Sequence, residues 1–84
     1  MPEVEIGVIT HYYGQISVAI IQLSDVLKVG DNIHIKGHSS DFTQEIASMQ
    51  IEHKEVQEAK ADDLVGIKVI QKTHPHDKVF KVTP

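Results

Sequence analysis

Cysteine is absent from the 84 residues, which excludes disulfides, thiolate metal sites and cysteine nucleophiles. Arginine is absent too: the eight basic residues are all lysines, against twelve acids, for a formal net charge of -4. Bidentate recognition of phosphate or guanine is arginine chemistry, because the planar guanidinium fork matches those acceptors and a lysine ammonium does not. Tight, generic nucleic-acid binding is therefore disfavoured, and only a patch of a few lysines could touch phosphate. No apolar run approaches the ~18 residues of a membrane span, and the opening Met1-Pro2-Glu3-Val4-Glu5 is too acidic for a signal peptide. A cytoplasmic protein without membrane contact is the expectation. No G-x-x-x-x-G-K-[ST] phosphate loop occurs, so GTP hydrolysis of that type is not available to this chain.

What is present reads as strands and turns. At this length residues 1–84 make a single domain of radius roughly 12 Å that buries about 60 to 65% of its unfolded surface, leaving little room for a deep pocket beside a core. Any ligand is expected in a groove or on a rim, and no enzyme is expected. Val4, Ile6 and Val8 alternate with polar residues toward Thr10, the period of a half-buried strand, with His11-Tyr12-Tyr13-Gly14 as the following turn. From Gln15 to Leu23 the pattern is apolar on both faces: Ile16, Val18 and Ile20 on one, Ala19, Ile21 and Leu23 on the other. Such a strand is covered on both sides or offers one face to a partner. Gly30-Asp31 sets a turn, Gly through positive φ and Asp through a hydrogen bond to its own backbone, before Ile33 and Ile35 enter the core.

Between Thr43 and Asp63 two rules conflict. Glu, Gln, Lys, Ala and Met favour a helix, and Ile46, Met49, His53 and Val56 recur at helical spacing. A helix would leave Ile51 on its polar face, whereas a strand needs one phase slip near Ala47-Ser48, which a β-bulge supplies. The strand reading is preferred. Leu64 to Ile70 and Lys78 to Val82 close the fold, with His74-Pro75-His76-Asp77 as the turn between them.

The order of Gly7-Val8-Ile9, then Leu27 to Gly37, then Ser48-Met49-Gln50, then Ala59 to Ile67 resembles domain II of the translational GTPases such as elongation factor Tu. It is most similar to stand-alone translation elongation factor-like proteins and to the barrel at the C-terminus of collagenase-like peptidases, whose G-H-x-x-D-F-x-Q-x-x-x-S-M-Q pattern runs from Gly37 to Gln50. The resemblance implies a small closed antiparallel β-barrel of six or seven strands, all-β, and a non-enzymatic role in contacting tRNA or ribosomal RNA without a GTPase domain. The family pattern places Gly before the strand-initiating Asp, where this chain has Asp62 and His76. His tolerates a left-handed backbone less well than Asp, so a different geometry is expected at the last turn.

Candidate sites follow. Lys36, His38, Gln44, Gln50 and His53 offer donors along the Gly37 to His53 element, and Tyr12 and Tyr13 offer stacking surfaces, at most one of which stacks because adjacent strand residues point to opposite sides. This is the expected RNA or partner contact. A first alternative is a protein-interaction module, self-associating or docking to a separate partner, built on the two-faced strand Ile16 to Leu23 and the acidic segment Glu52 to Asp63. A second is metal binding by His74, His76 and Asp77, which lack an identifiable fourth ligand; His34 and His38 lie roughly 13 Å apart on an extended strand, too far to share an ion. No cofactor is expected. Nor is catalysis expected at Ser39, Ser40, His38 and Asp41, since four residues of one loop rarely reach triad geometry.

Overall fold

Ten β-strands and no helix occur among the described residues, 3–83, of the computed structural model. They are β1 (Glu3–Tyr13), β2 (Val18–Leu23), β3 (Leu27–Lys28), β4 (Asn32–Lys36), β5 (Asp41–Glu45), β6 (Met49–Ile51), β7 (Lys54–Val56), β8 (Glu58–Ala59), β9 (Leu64–Lys68) and β10 (Lys78–Val82). Eight form one antiparallel sheet in the order β5-β4-β10-β1-β2-β9-β6-β7, and β3 pairs with β8. The all-β class is as expected, but the strand number exceeds six or seven. The surplus strands are two or three residues long, too short to leave a period in the sequence. The expected closure is not completed by a continuous ladder: β5 and β7 are not paired with each other among the described residues. Met1 and Pro2, part of the acidic opening segment, lie outside the described residues.

The concave side of this sheet holds the core, in which Ile6, Ile9, Ile21, Ile33, Ile67 and Val79 are buried. Simple alternation fails in β1. Register shifts between Glu5 and Gly7 and between Ile9 and His11 reset the phase, so Ile6 and Ile9 point inward while Val4 is 50% exposed. Gly7 is needed at the first shift, where an added Cβ would lie 2.7 Å from the Gln22 carbonyl oxygen and 2.8 Å from Ile21 Cγ2. The strand also continues through His11, Tyr12 and Tyr13, and the turn falls on residues 14–17 instead.

One turn recurs three times. In Lys28 to Asp31, Lys60 to Asp63 and His74 to Asp77, the last residue's N–H donates to the first residue's carbonyl at 3.1 Å, and its carboxylate accepts the first residue's N–H at 2.9 Å. The third residue has positive φ in each: 96° at Gly30, 74° at Asp62 and 76° at His76. The last turn therefore keeps the common geometry, contrary to expectation. His76 adopts the left-handed backbone because the closing Asp77 bonds and its own N–H, donating to the Ile9 carbonyl of β1 at 2.7 Å, over-determine it.

The Thr43 to Asp63 stretch is strand and loop, but its phase slip is not a bulge. Residues 46–48 carry the chain from β5, at one edge, to β6, beside β9. Buried Ile46 anchors the crossing: its N–H donates to the Asp31 carbonyl and its carbonyl accepts the Gly30 N–H, both at 2.8 Å.

Candidate functional site

Strand β2 has apolar side chains on both faces, and only one set enters the core. Ala19, Ile21 and Leu23 are buried, while Val18 and Ile20 are partly exposed on the outer face. Across the sheet Ile20 lies opposite Gly66 of β9, and Gly66 opposite Gln50 of β6. A glycine at the middle of that rung leaves a dip: a Cβ there would sit in ordinary contact, 3.4 Å from both Ile20 Cδ1 and Val18 Cγ1. The dip is the floor of a trough of about 790 Å³. Tyr13 and Ile16 form part of its wall, Ile51, Glu52 and His53 of the β6–β7 hairpin another, and Asp62, Asp63 and Leu64 a third. Three of these apolar residues are unusually open, Tyr13 at 50%, Ile16 at 60% and Leu64 at 54% exposure.

The rim is acidic. Glu52, Asp62 and Asp63 line the trough and no lysine does. The Asp63 carboxylate is engaged by the Lys60 N–H, whereas no hydrogen bond or ion pair engages the Glu52 or Asp62 carboxylate among the described residues. Backbone strain concentrates here as well. Of the five non-glycine residues with positive φ among the described residues, three, Glu52 (51°), His53 (65°) and Asp62 (74°), line the trough.

The candidate residues read from sequence are dispersed. Tyr12 packs against the core and Tyr13 faces the trough, stacked on His11 with ring centroids 5.9 Å apart, so only one of the adjacent pair serves a surface. Gln50 and His53 also line the trough. Lys36 ends β4 and His38 is exposed in the following loop; neither reaches it. Gln44 has a structural duty. Its side chain donates to the Lys68 carbonyl and accepts the Ile70 N–H, both at 2.9 Å, clasping β5 to the end of β9 where no backbone ladder joins them. Gln44→Ala is expected to cost about 1 to 2 kcal/mol in urea unfolding, two partly exposed hydrogen bonds. Missing from the sequence reading were Ile16, Leu64 and Gly66 as neighbours. A two-faced β2 was the available signal, but which strand supplies the glycine depends on pairing.

Two polar clusters lie elsewhere. His34 sits on β4 between Glu3 and Asp41, with Nδ1 2.9 Å from the Glu3 carboxylate and Nε2 bonded to Asp41, over the Phe80 ring. The Asp41 hydrogen bond lifts the His34 pKa above its ordinary value near 6.5, and that of Glu3 adds to it, against an opposing effect of burial. His34 in turn holds the Asp41 carboxyl below its ordinary value. The raised pKa means stability present in full below the unfolded value and lost as pH rises through the folded one; the lowered Asp41 pKa sets the acid limit of the same window. The Tm advantage of wild type over His34→Gln is therefore expected to be larger at pH near 6 than at pH near 8.5, and equal advantages would refute the ion pairs.

The second cluster joins Ser40, His74 and Asp77. Ser40 Oγ is 3.5 Å and Asp77 Oδ2 3.9 Å from the same nitrogen, His74 Nδ1. A hydrolytic triad needs the serine and the carboxylate on opposite ring nitrogens, and Ser40 is buried. Ser40, read beside His38 and Asp41 from sequence, is thus a loop anchor. His76 is exposed and the Asp77 carboxylate is directed into its own turn, so the His74, His76 and Asp77 grouping does not converge; no group of three metal-ligating side chains is assembled among the described residues.

No family model matches the sequence. Over 79 residues the chain is 39% identical to an uncharacterized protease of Methanocaldococcus jannaschii, a match covering 93% of this chain and 19% of that protein. The chain thus spans about a fifth of the length of the curated relative it matches. In structure it is similar to the C-terminal domain of a U32 peptidase from Geobacillus thermoleovorans, with a TM-score of 0.89 at 23% identity over 94% of this chain and 92% of that one. The selenomethionine variant of that domain superposes with a TM-score of 0.85 at 23% identity, over 89% and 95%. These likenesses establish the fold. They agree with the peptidase-barrel half of the resemblance and lend nothing to its elongation-factor half. No helix among the described residues is long and apolar enough to cross a membrane.

Proposed function

We propose that residues 1–84 act as a non-catalytic module that captures an extended polypeptide segment in the trough over β2, β9 and β6. The observation carrying this reading is the outer face itself: exposed apolar side chains around a glycine floor, with a volume in the range of about 300 to 1,000 Å³ found for ligand clefts. Apolar residues left together in one concavity mark a binding surface. In a longer peptidase-like chain, such a module would hold a substrate or a neighbouring segment while the chemistry happens elsewhere. Contact with tRNA or ribosomal RNA has less support, because the trough presents carboxylates where phosphates would pass and the lysines lie outside it.

Gly66→Leu tests the reading. The larger side chain enters open space above Val18 and Ile20, so the protein is expected to stay folded by circular dichroism while losing capture of unfolded polypeptide, probed with reduced, carboxymethylated casein. Undiminished capture by the variant would place binding off the trough. Saturable binding of total tRNA by wild type at ~150 mM salt, lost in Gly66→Leu, would instead favour RNA.

A further inference from the structure

We infer that the trough selects segments in which an apolar side chain stands next to a lysine or arginine; this rests on the polypeptide-binding reading above and specifies its ligand. Three observations converge on it. First, the floor and walls offer Val18, Ile20, Leu64 and the Tyr13 ring to an apolar side chain. Second, the rim charges are of one sign, and the Glu52 and Asp62 carboxylates have no protein partner among the described residues. A cation at that rim meets an unpaired carboxylate at either wall, and an acidic segment is repelled by both.

Third, Glu52 and His53 occupy a hairpin tip at which local preference is violated. Both have positive φ, the arrangement of a two-residue turn that favours Asn-Gly. Glutamate in that position is disfavoured by the turn, yet the turn presents its carboxylate at the trough. Strain of this kind is retained where the strained residue has work to do. The same charges argue against a second copy of this chain as occupant, because a two-fold contact through the trough would bring one acidic rim against the other.

The test uses short fluorescent peptides sharing one leucine-containing extended core and flanked by lysine, glutamine or glutamate, followed by anisotropy at low and at near-physiological salt. The lysine-flanked peptide is expected to bind about tenfold tighter than the glutamine-flanked one, with the gap narrowing as salt rises, and the glutamate-flanked peptide weakest. Glu52→Gln with Asp62→Asn, which keeps the left-handed backbone at residue 62 tolerable, should bring the lysine-flanked and glutamine-flanked peptides to equal affinity. Replacing Glu52-His53 by Asn-Gly should raise Tm and reduce the lysine preference together.

Equal affinities for the lysine and glutamine peptides would overturn the selectivity and leave the polypeptide-binding reading standing. Failure of all three to bind, with the protein folded, would overturn both. Light scattering showing a concentration-dependent dimer that Gly66→Leu dissociates would assign the trough to a second copy and overturn the inference.

Discussion

Gly37→Ala is expected to cost about 3 kcal/mol, far more than a single methyl group on an exposed loop normally does. A Cβ at this position runs into the carboxylate of Asp77, and Asp77 cannot step aside cheaply. Its side chain is buried and accepts the His74 N–H at 2.9 Å, closing the turn that starts β10. Either the loop from Gly37 to Ser40, held by the Gly37 N–H donating to the Ser40 carbonyl at 2.7 Å, opens, or the turn loses its acceptor and leaves the part-buried His74 N–H unpaired. Coupling through one clash gives the prediction its sharpest form. Gly37→Ala combined with Asp77→Ala should be markedly less destabilised than the sum of the two, and additive effects in urea unfolding would show that the collision is not the cause.

Phe42→Ala should destabilise by about 4 kcal/mol. Phe42 is 7% exposed in β5, an edge strand paired on one side with β4, where it stands opposite Ile35. An edge strand has half the backbone bonds of a central one, so its attachment depends on this ring and on the Gln44 clasp. For a chain of this size the whole stability is roughly 4 to 12 kcal/mol, which makes the loss decisive rather than incremental. Tyr13→Ala is the contrast. Half-exposed at the trough wall, it should change stability by about 1 kcal/mol or less. Equal losses at the two positions would mean that β5 is not anchored through Phe42.

Much of this was legible from local chemistry. The Gly30-Asp31 turn and the inward Ile33 and Ile35 follow from a residue that accepts positive φ, a carboxylate within reach of its own backbone, and strict alternation. Strand Lys78 to Val82 was read at its true limits. Legibility stopped where non-local pairing decides. Val4 and Val8 look equivalent to Ile6 until the β1 shifts are known, and those shifts answer to β10 and β2, far away in sequence. The same holds for the site. Gln44, a surface donor by its sequence, is consumed by Lys68 and Ile70, while Gly66, which the sequence marks only as part of the Ala59 to Ile67 element, makes the trough because it lies between Ile20 and Gln50. Hairpin residues Glu52 and His53 drew attention as an acid in a charged run and a donor on an edge, but their strained backbone has no sequence signal.

The placement of β10 has a consequence for a chain emerging from the ribosome. The last of the ten described strands in chain order sits between β4 and β1 in the interior of the sheet, with Val79 fully buried and the Asp77 carbonyl accepting the Ile9 N–H. Until it arrives, the sheet exists as two fragments, β5 with β4 and β1 with β2, β9, β6 and β7, whose facing edges are both unsatisfied. Synthesis thus delivers the keystone of this sheet after its other strands, and from the end of β5 until β10 the two facing edges stay open. A chain arrested before Lys78 should be protease-sensitive and prone to pair with other strands.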